Sequence, residues 1–138
     1  MEDVALNVHS MRQNCSIHLL VEMSNSAYSD QFSRAGIYKL QVDTINGKPY
    51  WIKNNNASAL WFDGTSVRWY FGSVDDLGKT RGGLKSGKNN DSCVELPNMQ
   101  WEFFDGNVWM AAGEDVWITP LKNGLSSSKN ILSSLLNV

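Results

Sequence analysis

Leu60-Trp61-Phe62-Asp63-Gly64-Thr65-Ser66-Val67-Arg68-Trp69-Tyr70-Phe71 is the stretch that decides the fold. Val67, Trp69 and Phe71 alternate with Arg68 and Tyr70, so they share one face of an extended strand. Asp63-Gly64 supplies the residue types of a tight reversal between that strand and Leu60-Trp61-Phe62. The same chemistry returns in Trp101-Glu102-Phe103-Phe104-Asp105-Gly106-Asn107-Val108-Trp109-Met110, where Trp101 and Trp109 frame Asp105-Gly106 as Trp61 and Trp69 frame Asp63-Gly64. Two such hairpins predict an antiparallel, all-β chain.

The pattern extends in both directions. Ile17, Leu19, Val21 and Met23 alternate with His18, Leu20 and Glu22, which predicts a first strand with its apolar side chains on the core face. Gly36 to Val42 reads as a second strand with Tyr38, Leu40 and Val42 inward. Asn46-Gly47 then fits a type I′ turn, whose two central residues need positive φ, and Tyr50-Trp51-Ile52 is the return strand. Glu114 to Thr119 is the last strand. Two segments read as loops: the polar stretch from Ser24 to Arg34, and Asp75 to Ser92 with Gly78, Gly82, Gly83 and Gly87. About seven or eight short strands with turns between them predict an antiparallel meander forming a small barrel or sandwich.

After Pro120 the composition shifts to Ser, Asn and Leu. Ile131, Leu132, Leu135 and Leu136 share a helical face behind Ser126, Ser127 and Ser128, which predicts a short C-terminal helix. The chain thus divides into an N-terminal extension (1–14), one β-rich domain (15–120) and a Ser/Leu-rich tail (121–138).

Composition narrows the function. The 138 residues are 42% hydrophobic and 19% charged with a net charge of −2, enough for one domain with its own core. No basic field would gather phosphates, so nucleic acid is not the expected partner. Val108 to Ala112 is the longest apolar run, far short of the ~18 residues of a spanning helix, so no membrane insertion is expected. Met1-Glu2-Asp3-Val4-Ala5-Leu6-Asn7 has acids where a secretory signal carries bases, which is compatible with a cytoplasmic protein or an excised domain.

Catalytic and cofactor patterns are poor. Gly72 to Thr80 approaches a phosphate loop but has one residue too many before Gly78-Lys79-Thr80, and it places Asp75 and Asp76 where phosphate oxygens would sit. His9 and His18 are the two histidines, and no metal-ligand spacing surrounds them, so neither metal nor cofactor is expected. Asp75, Asp76 and Asp115 are loop carboxylates that a small hydrolase would have to use.

Fifteen aromatics, six of them Trp, are the more informative feature. A two-residue loop at Asp105-Gly106 would pair Phe103 with Val108 and Trp101 with Met110 on the core face, leaving Phe104 and Trp109 on the other. A three-residue turn at Ala112-Gly113-Glu114 would put Val116 and Ile118 in the core and bring Trp117 opposite Trp109. Phe104, Trp109 and Trp117, joined by Trp51 and Trp61, then form a candidate platform for a sugar, a peptide or a partner domain, unless the tail or another strand covers them.

Cys15 and Cys93 are either two buried thiols or a bridge; a bridge closing about 78 residues would contribute roughly 4–5 kcal/mol in the chain-entropy account. Asn14, Asn56 and Asn90 each fit the Asn-x-Ser glycosylation pattern, of which a chain of this composition holds about two by chance.

Cys15-x-Ile17-x-Leu19, Ala35-Gly36-Ile37-Tyr38-x-Leu40, Asn46-Gly47-Lys48-Pro49-Tyr50-Trp51, Trp69-Tyr70-Phe71-Gly72, Leu77-Gly78, Ser92-Cys93-x-Glu95-Leu96-Pro97 and Trp101 to Trp109 together resemble a Trp-rich, cysteine-bounded module of extracellular mosaic proteins of invertebrates. The resemblance covers about residues 15–118. It implies secretion, a Cys15–Cys93 bridge and a noncatalytic binding or adhesion role toward a carbohydrate or an extracellular protein. Two other functions remain open from the residues alone: the small hydrolase, and a cytosolic scaffold that docks a partner through its tail from Leu125 to Val138.

Overall fold

In a computed structural model the protein is all-β, and the structure describes residues 15–23, 31–94, 99–113 and 115–121. Among the described residues, nine antiparallel strands form one curled, half-barrel sheet: β1 (His18–Met23), β2 (Gly36–Ile45), β3 (Lys48–Lys53), β4 (Ser58–Asp63), β5 (Arg68–Ser73), β6 (Leu84–Ser86), β7 (Trp101–Phe104), β8 (Trp109–Gly113) and β9 (Val116–Leu121). The hydrogen-bonded order is β8-β7-β6-β5-β4-β3-β2-β1-β9, a meander whose last strand returns beside the first. The C-terminal helix expected after Pro120 falls outside the described residues.

The curl follows from the inner face. Leu19, Val21 and Met23 of β1, Tyr38 and Leu40 of β2, Trp51, Leu60, Phe62, Trp69, Phe71, Leu84, Trp101, Phe103, Ala112 and Val116 belong to one buried cluster that draws on every strand. In a flat sheet Tyr38 and Phe71, three strands apart, would stand roughly 14 Å from each other. Their ring centroids are 5.4 Å apart, edge to face, so the sheet folds over this contact. Phe62 meets Trp69 at 5.5 Å, Phe71 meets Trp101 at 5.1 Å and Trp51 meets Trp69 at 6.1 Å. Such ring pairs add about 0.5–1.5 kcal/mol each beyond the area they bury.

β8 and β9, at opposite ends of the ladder, are joined by only residues 114–115. With β8 antiparallel to β7 and β9 antiparallel to β1, the two run in the same sense and are two arms of one bent strand. The bend sits at an irregularity opposite Trp101 and Glu102 and at the local bond from the Asp115 N–H to the Ala112 carbonyl (3.0 Å). The β8–β9 hairpin expected across Ala112-Gly113-Glu114 does not form, because β9 pairs with β1 and not with β8.

Turn chemistry behaves as expected at Asn46-Gly47, where φ is 54° and 82° and Ile45 pairs with Lys48. The Asn46 amide also donates to the carbonyls of Phe62 (2.8 Å) and Gly78 (3.1 Å), tying that turn to two others. Val42 is not inward. The β2–β3 register shifts between Leu40 and Thr44, and Val42 rides the bulge at 68% exposure while Asp43 accepts a 2.6 Å bond from the Tyr50 hydroxyl.

The segment from Asp75 to Ser92 is not wholly a loop, because it contains β6. Leu84 and Ser86 are fully buried, the Ser86 hydroxyl accepts from the Trp69 N–H at 2.9 Å, and β6 pairs with β5 and β7. Ahead of it, residues 74–83 fold back over the outer face. There Val74 and Leu77 pack on Tyr50, Ala59, Trp61 and Tyr70, so every residue of β4 is buried. Glycines permit this approach: a Cβ at Gly82 would lie 2.6 Å from the Phe71 carbonyl oxygen, and one at Gly83 would collide with the Gln31 side-chain amide. Cys15 and Cys93 form a disulfide that closes the ring between the start of β1 and the segment before β7.

The Trp indoles differ in one respect. Trp51 Nε1 donates to the Ser16 carbonyl and Trp61 Nε1 to the Lys79 carbonyl, each at 2.9 Å, whereas buried Trp69 Nε1 has no partner among the described residues. An orphaned buried donor costs about 1–3 kcal/mol. Trp69→Phe is therefore expected to be less destabilising than Trp51→Phe, by about 1–3 kcal/mol in urea denaturation; equal losses would contradict this account of the two indoles.

Candidate partner-binding surface

The β7–β8 hairpin positions the candidate surface. Asp105 Oδ1 accepts the N–H groups of Asn107 (2.8 Å) and Val108 (2.9 Å), and the Asp105 N–H donates to the Val108 carbonyl (3.1 Å). These bonds hold a four-residue loop instead of the two-residue turn expected at Asp105-Gly106, and they hold the Asp105 carboxyl below its usual pKa. Phe104 therefore pairs with Trp109 and Phe103 with Met110. The register differs by two residues from the expected one, and a two-residue slip preserves facing. Phe104 and Trp109 still share the outer face, with ring centroids 5.4 Å apart. Val108, however, leaves the strand and is 54% exposed, and Met110, on the last bonded strand of the sheet, is 44% exposed.

On the outer face Trp109 is partly buried against the cluster of Tyr50, Ala59, Trp61 and Tyr70, and charged side chains flank it. Tyr70, Lys85, Glu102 and Ala111 succeed one another across β5 to β8. Lys85 Nζ lies 4.2 Å from the Trp109 ring centroid, an attraction of about 0.5–2 kcal/mol. Glu102 stands 3.6 Å from the Arg68 guanidinium, a half-exposed pair of little energetic weight.

A further aromatic approaches from the β1–β2 connection. The 3-10 turn Phe32–Arg34 crosses the same end of the half-barrel. It is held there by the Gln31 amide donating to the Phe104 carbonyl (3.2 Å), by Arg34 donating to the Ser58 hydroxyl (2.8 Å) and by the Tyr38 hydroxyl donating to the Arg34 carbonyl (2.6 Å). Burial raises the Tyr38 phenol pKa well above its ordinary value. Phe32 itself is 48% exposed. Sequence reasoning placed it in a polar loop, and its one signal was a lone apolar residue among Gln31, Ser33 and Arg34.

The other expected platform members lie elsewhere. Trp51 and Trp61 are fully buried, Trp51 inside the curl and Trp61 under residues 74–79, stacked on Tyr70 at 6.3 Å. Trp117 is 48% exposed on the outer face of β9 against Glu22, with Val116 buried and Ile118 packed on the core. Because β8 and β9 are one bent strand, Trp117 does not fall opposite Trp109. The eight-residue step between them spans up to about 28 Å. Among the described residues it has no ring contact with Trp109 or Phe104.

The loop carboxylates are dispersed. Asp76 is ion-paired with Lys79 and Arg81, each at 3.8 Å, on the turn Val74–Asp76 after β5, whereas Asp115 is in the link between β8 and β9. Asp63 is the more constrained acid. Burial raises its pKa, but hydrogen bonds from Ser66, Thr80 and the Thr65 backbone outweigh that and lower it overall. Those bonds fasten the β4–β5 turn to Thr80. Among the described residues no group of three or more His, Cys, Asp or Glu could hold a metal, and no helix is long and apolar enough to cross a membrane.

Comparison with known proteins finds no matching family model, no matching curated protein and no matching solved structure.

His18, on the outer face of β1, pairs with Lys39 of β2 and Leu121 of β9. Burial, and then the Lys39 charge, lower its pKa from 6.5. The folded chain thus favours the neutral ring; its full contribution is present above pH 6.5 and is lost as pH falls through the folded value, when the unfolded chain has already taken the proton. The urea midpoint is expected to fall between pH 7.5 and 5, and less so in His18→Gln. An unaltered pH slope in that variant would assign the loss to other groups.

Proposed function

We propose that this chain is a noncatalytic extracellular binding module whose contact region is the β7–β8 hairpin edge, with the Phe104–Trp109 pair on its outer face, Met110 on its other face, Val108 in its loop and Phe32 on the turn bonded to it, Trp117 making a separate contact. The observation that carries the reading is that Val108 and Met110, on the hairpin of the half-buried Phe104–Trp109 pair, and Phe32, on the turn bonded to it, are exposed large apolar side chains. The interior and the covered outer cluster already absorb most of the aromatics. The Cys15–Cys93 disulfide suits an oxidising compartment. The resemblance to a cysteine-bounded module of invertebrate extracellular mosaic proteins supports the same reading.

Between a protein and a carbohydrate partner, the side chains favour protein. A sugar stacks on a bare aromatic face, and Lys85 lies against the Trp109 ring. Exposed Val108 and Met110 on the edge that carries the aromatic pair are side chains suited to a protein interface, where a few large side chains carry most of the affinity.

The test is a pair of arrays, one of secreted and cell-surface proteins and one of glycans, probed with the full chain. Binding to a protein is expected, weakened at least tenfold by Trp109→Ala and by Val108→Ser with Met110→Ser, and less by Trp117→Ala. Glycan binding lost in Trp109→Ala would reassign the partner class. Silence on both arrays, or binding indifferent to these substitutions, would refute the surface.

A further inference from the structure

Two loops repeat one local arrangement. Asn55-Asn56-Ala57-Ser58 leads from β3 into β4, and Asn89-Asn90-Asp91-Ser92 lies between β6 and β7. In each, the first asparagine closes an Asx turn, its Oδ1 accepting the N–H two residues on, from Ala57 and from Asp91, both at 2.9 Å. In each, the second asparagine is exposed and is held by its backbone alone. The Asn56 N–H donates to the Lys53 carbonyl (2.8 Å), and the Asn90 carbonyl accepts from Lys48 Nζ (2.8 Å). Neither side-chain amide bonds to a described residue. The Asn46 amide, by contrast, is committed to two carbonyls. Asn56 adopts φ 59°, a left-handed conformation that asparagine accepts more readily than other side chains with a Cβ.

From this recurring geometry we infer that Asn56 and Asn90 are acceptors for N-linked glycans, an inference that rests on the extracellular part of the proposed function. The donor is an oligosaccharide linked to a lipid diphosphate. The Asn Nδ2 forms a bond to the anomeric carbon, the bond from that carbon to the diphosphate oxygen breaks, the amide gives up one proton, and the lipid diphosphate leaves. The two sites differ in timing. Ser92 is exposed, so Asn90 stays open to transfer after folding. Ser58 is 2% exposed and its hydroxyl accepts from Arg34, so Asn56 is modified only before β4 enters the sheet. The sites also differ in place. The β3–β4 loop opens at the end of the half-barrel that holds the β7–β8 loop, and the β6–β7 connection at the opposite end. A glycan on Asn90 therefore leaves the Phe104–Trp109 surface free, and one on Asn56 borders it.

The experiment directs the full chain into the secretory pathway of eukaryotic cells with an added signal peptide. Occupancy is then read by peptide mapping after amidase release of glycans in heavy-oxygen water. Labelled aspartate is expected at positions 56 and 90, Asn56→Gln and Asn90→Gln each removing one glycan from the intact mass and Ser92→Ala acting like Asn90→Gln. Both sequons are accessible before the chain folds, so occupancy is read from secreted and from retained chains alike. An unmodified peptide at either position overturns the assignment of that asparagine. The readout involves neither Trp109 nor a partner, so its failure leaves the binding surface standing, and silent arrays leave the glycan sites standing.

Discussion

The edge-to-face contact between Tyr38 and Phe71 is the constraint on which the rest depends. Two strands intervene between the residues that make it, so the sheet has to roll to bring the rings together. Once rolled, it has an inside. Trp51, Phe62, Trp69, Trp101 and Phe103 fill that inside, and the first and last strands come within pairing distance. A flat nine-stranded sheet would leave half of these rings in water, and at roughly 25 cal/mol per Å² of apolar area no other element of the chain could compensate.

Rolling creates a second demand, because the convex side carries Trp61, Tyr70 and Tyr50. The connection from β5 to β6 meets it by lying flat across β4 and β5, and Gly72 and Gly82 allow the approach, with a Cβ at Gly72 only 2.8 Å from the Trp61 ring. Burial of Tyr50, together with its bond to Asp43, pushes the phenol up to about 12. The cover stops short of β7 and β8. Trp109 packs on the margin of the covered cluster and Phe104 on Trp109, so the candidate surface begins where the covering loop ends.

Inner faces were legible through most of each alternating run: Leu19, Val21 and Met23; Tyr38 and Leu40; Trp69 and Phe71; Trp101 and Phe103; Val116 and Ile118. Ile17, expected with the first of these, precedes β1 and is 46% exposed. Asn46-Gly47 was legible because its turn type admits few residues. What escaped was non-local. β6 holds Leu84 as its one apolar residue, and nothing in Leu84-Lys85-Ser86 announces that two neighbouring strands will pair with it. Trp61 alternates outward, yet a loop from another part of the chain buries it. The Asp105 loop turned on a side chain choosing two backbone N–H groups, which composition does not reveal. The bend between β8 and β9 exists because β1 offers a free edge, a fact of topology and not of the residues from 112 to 115.

That bent strand has a bearing on how the protein is made. β9 pairs with β1 across about a hundred residues, and the same strand holds β7 through its first arm. During synthesis the hairpins up to β7 can assemble as they emerge, but they can form only an open sheet with an unsheathed aromatic lining. The roll is completed when the final arm is released from the ribosome and crosses from one edge to the other. Closure is thus a late event of high contact order, slow by the standards of small domains. Until then the nascent chain presents rows of rings and unpaired edges of the kind that chaperones hold.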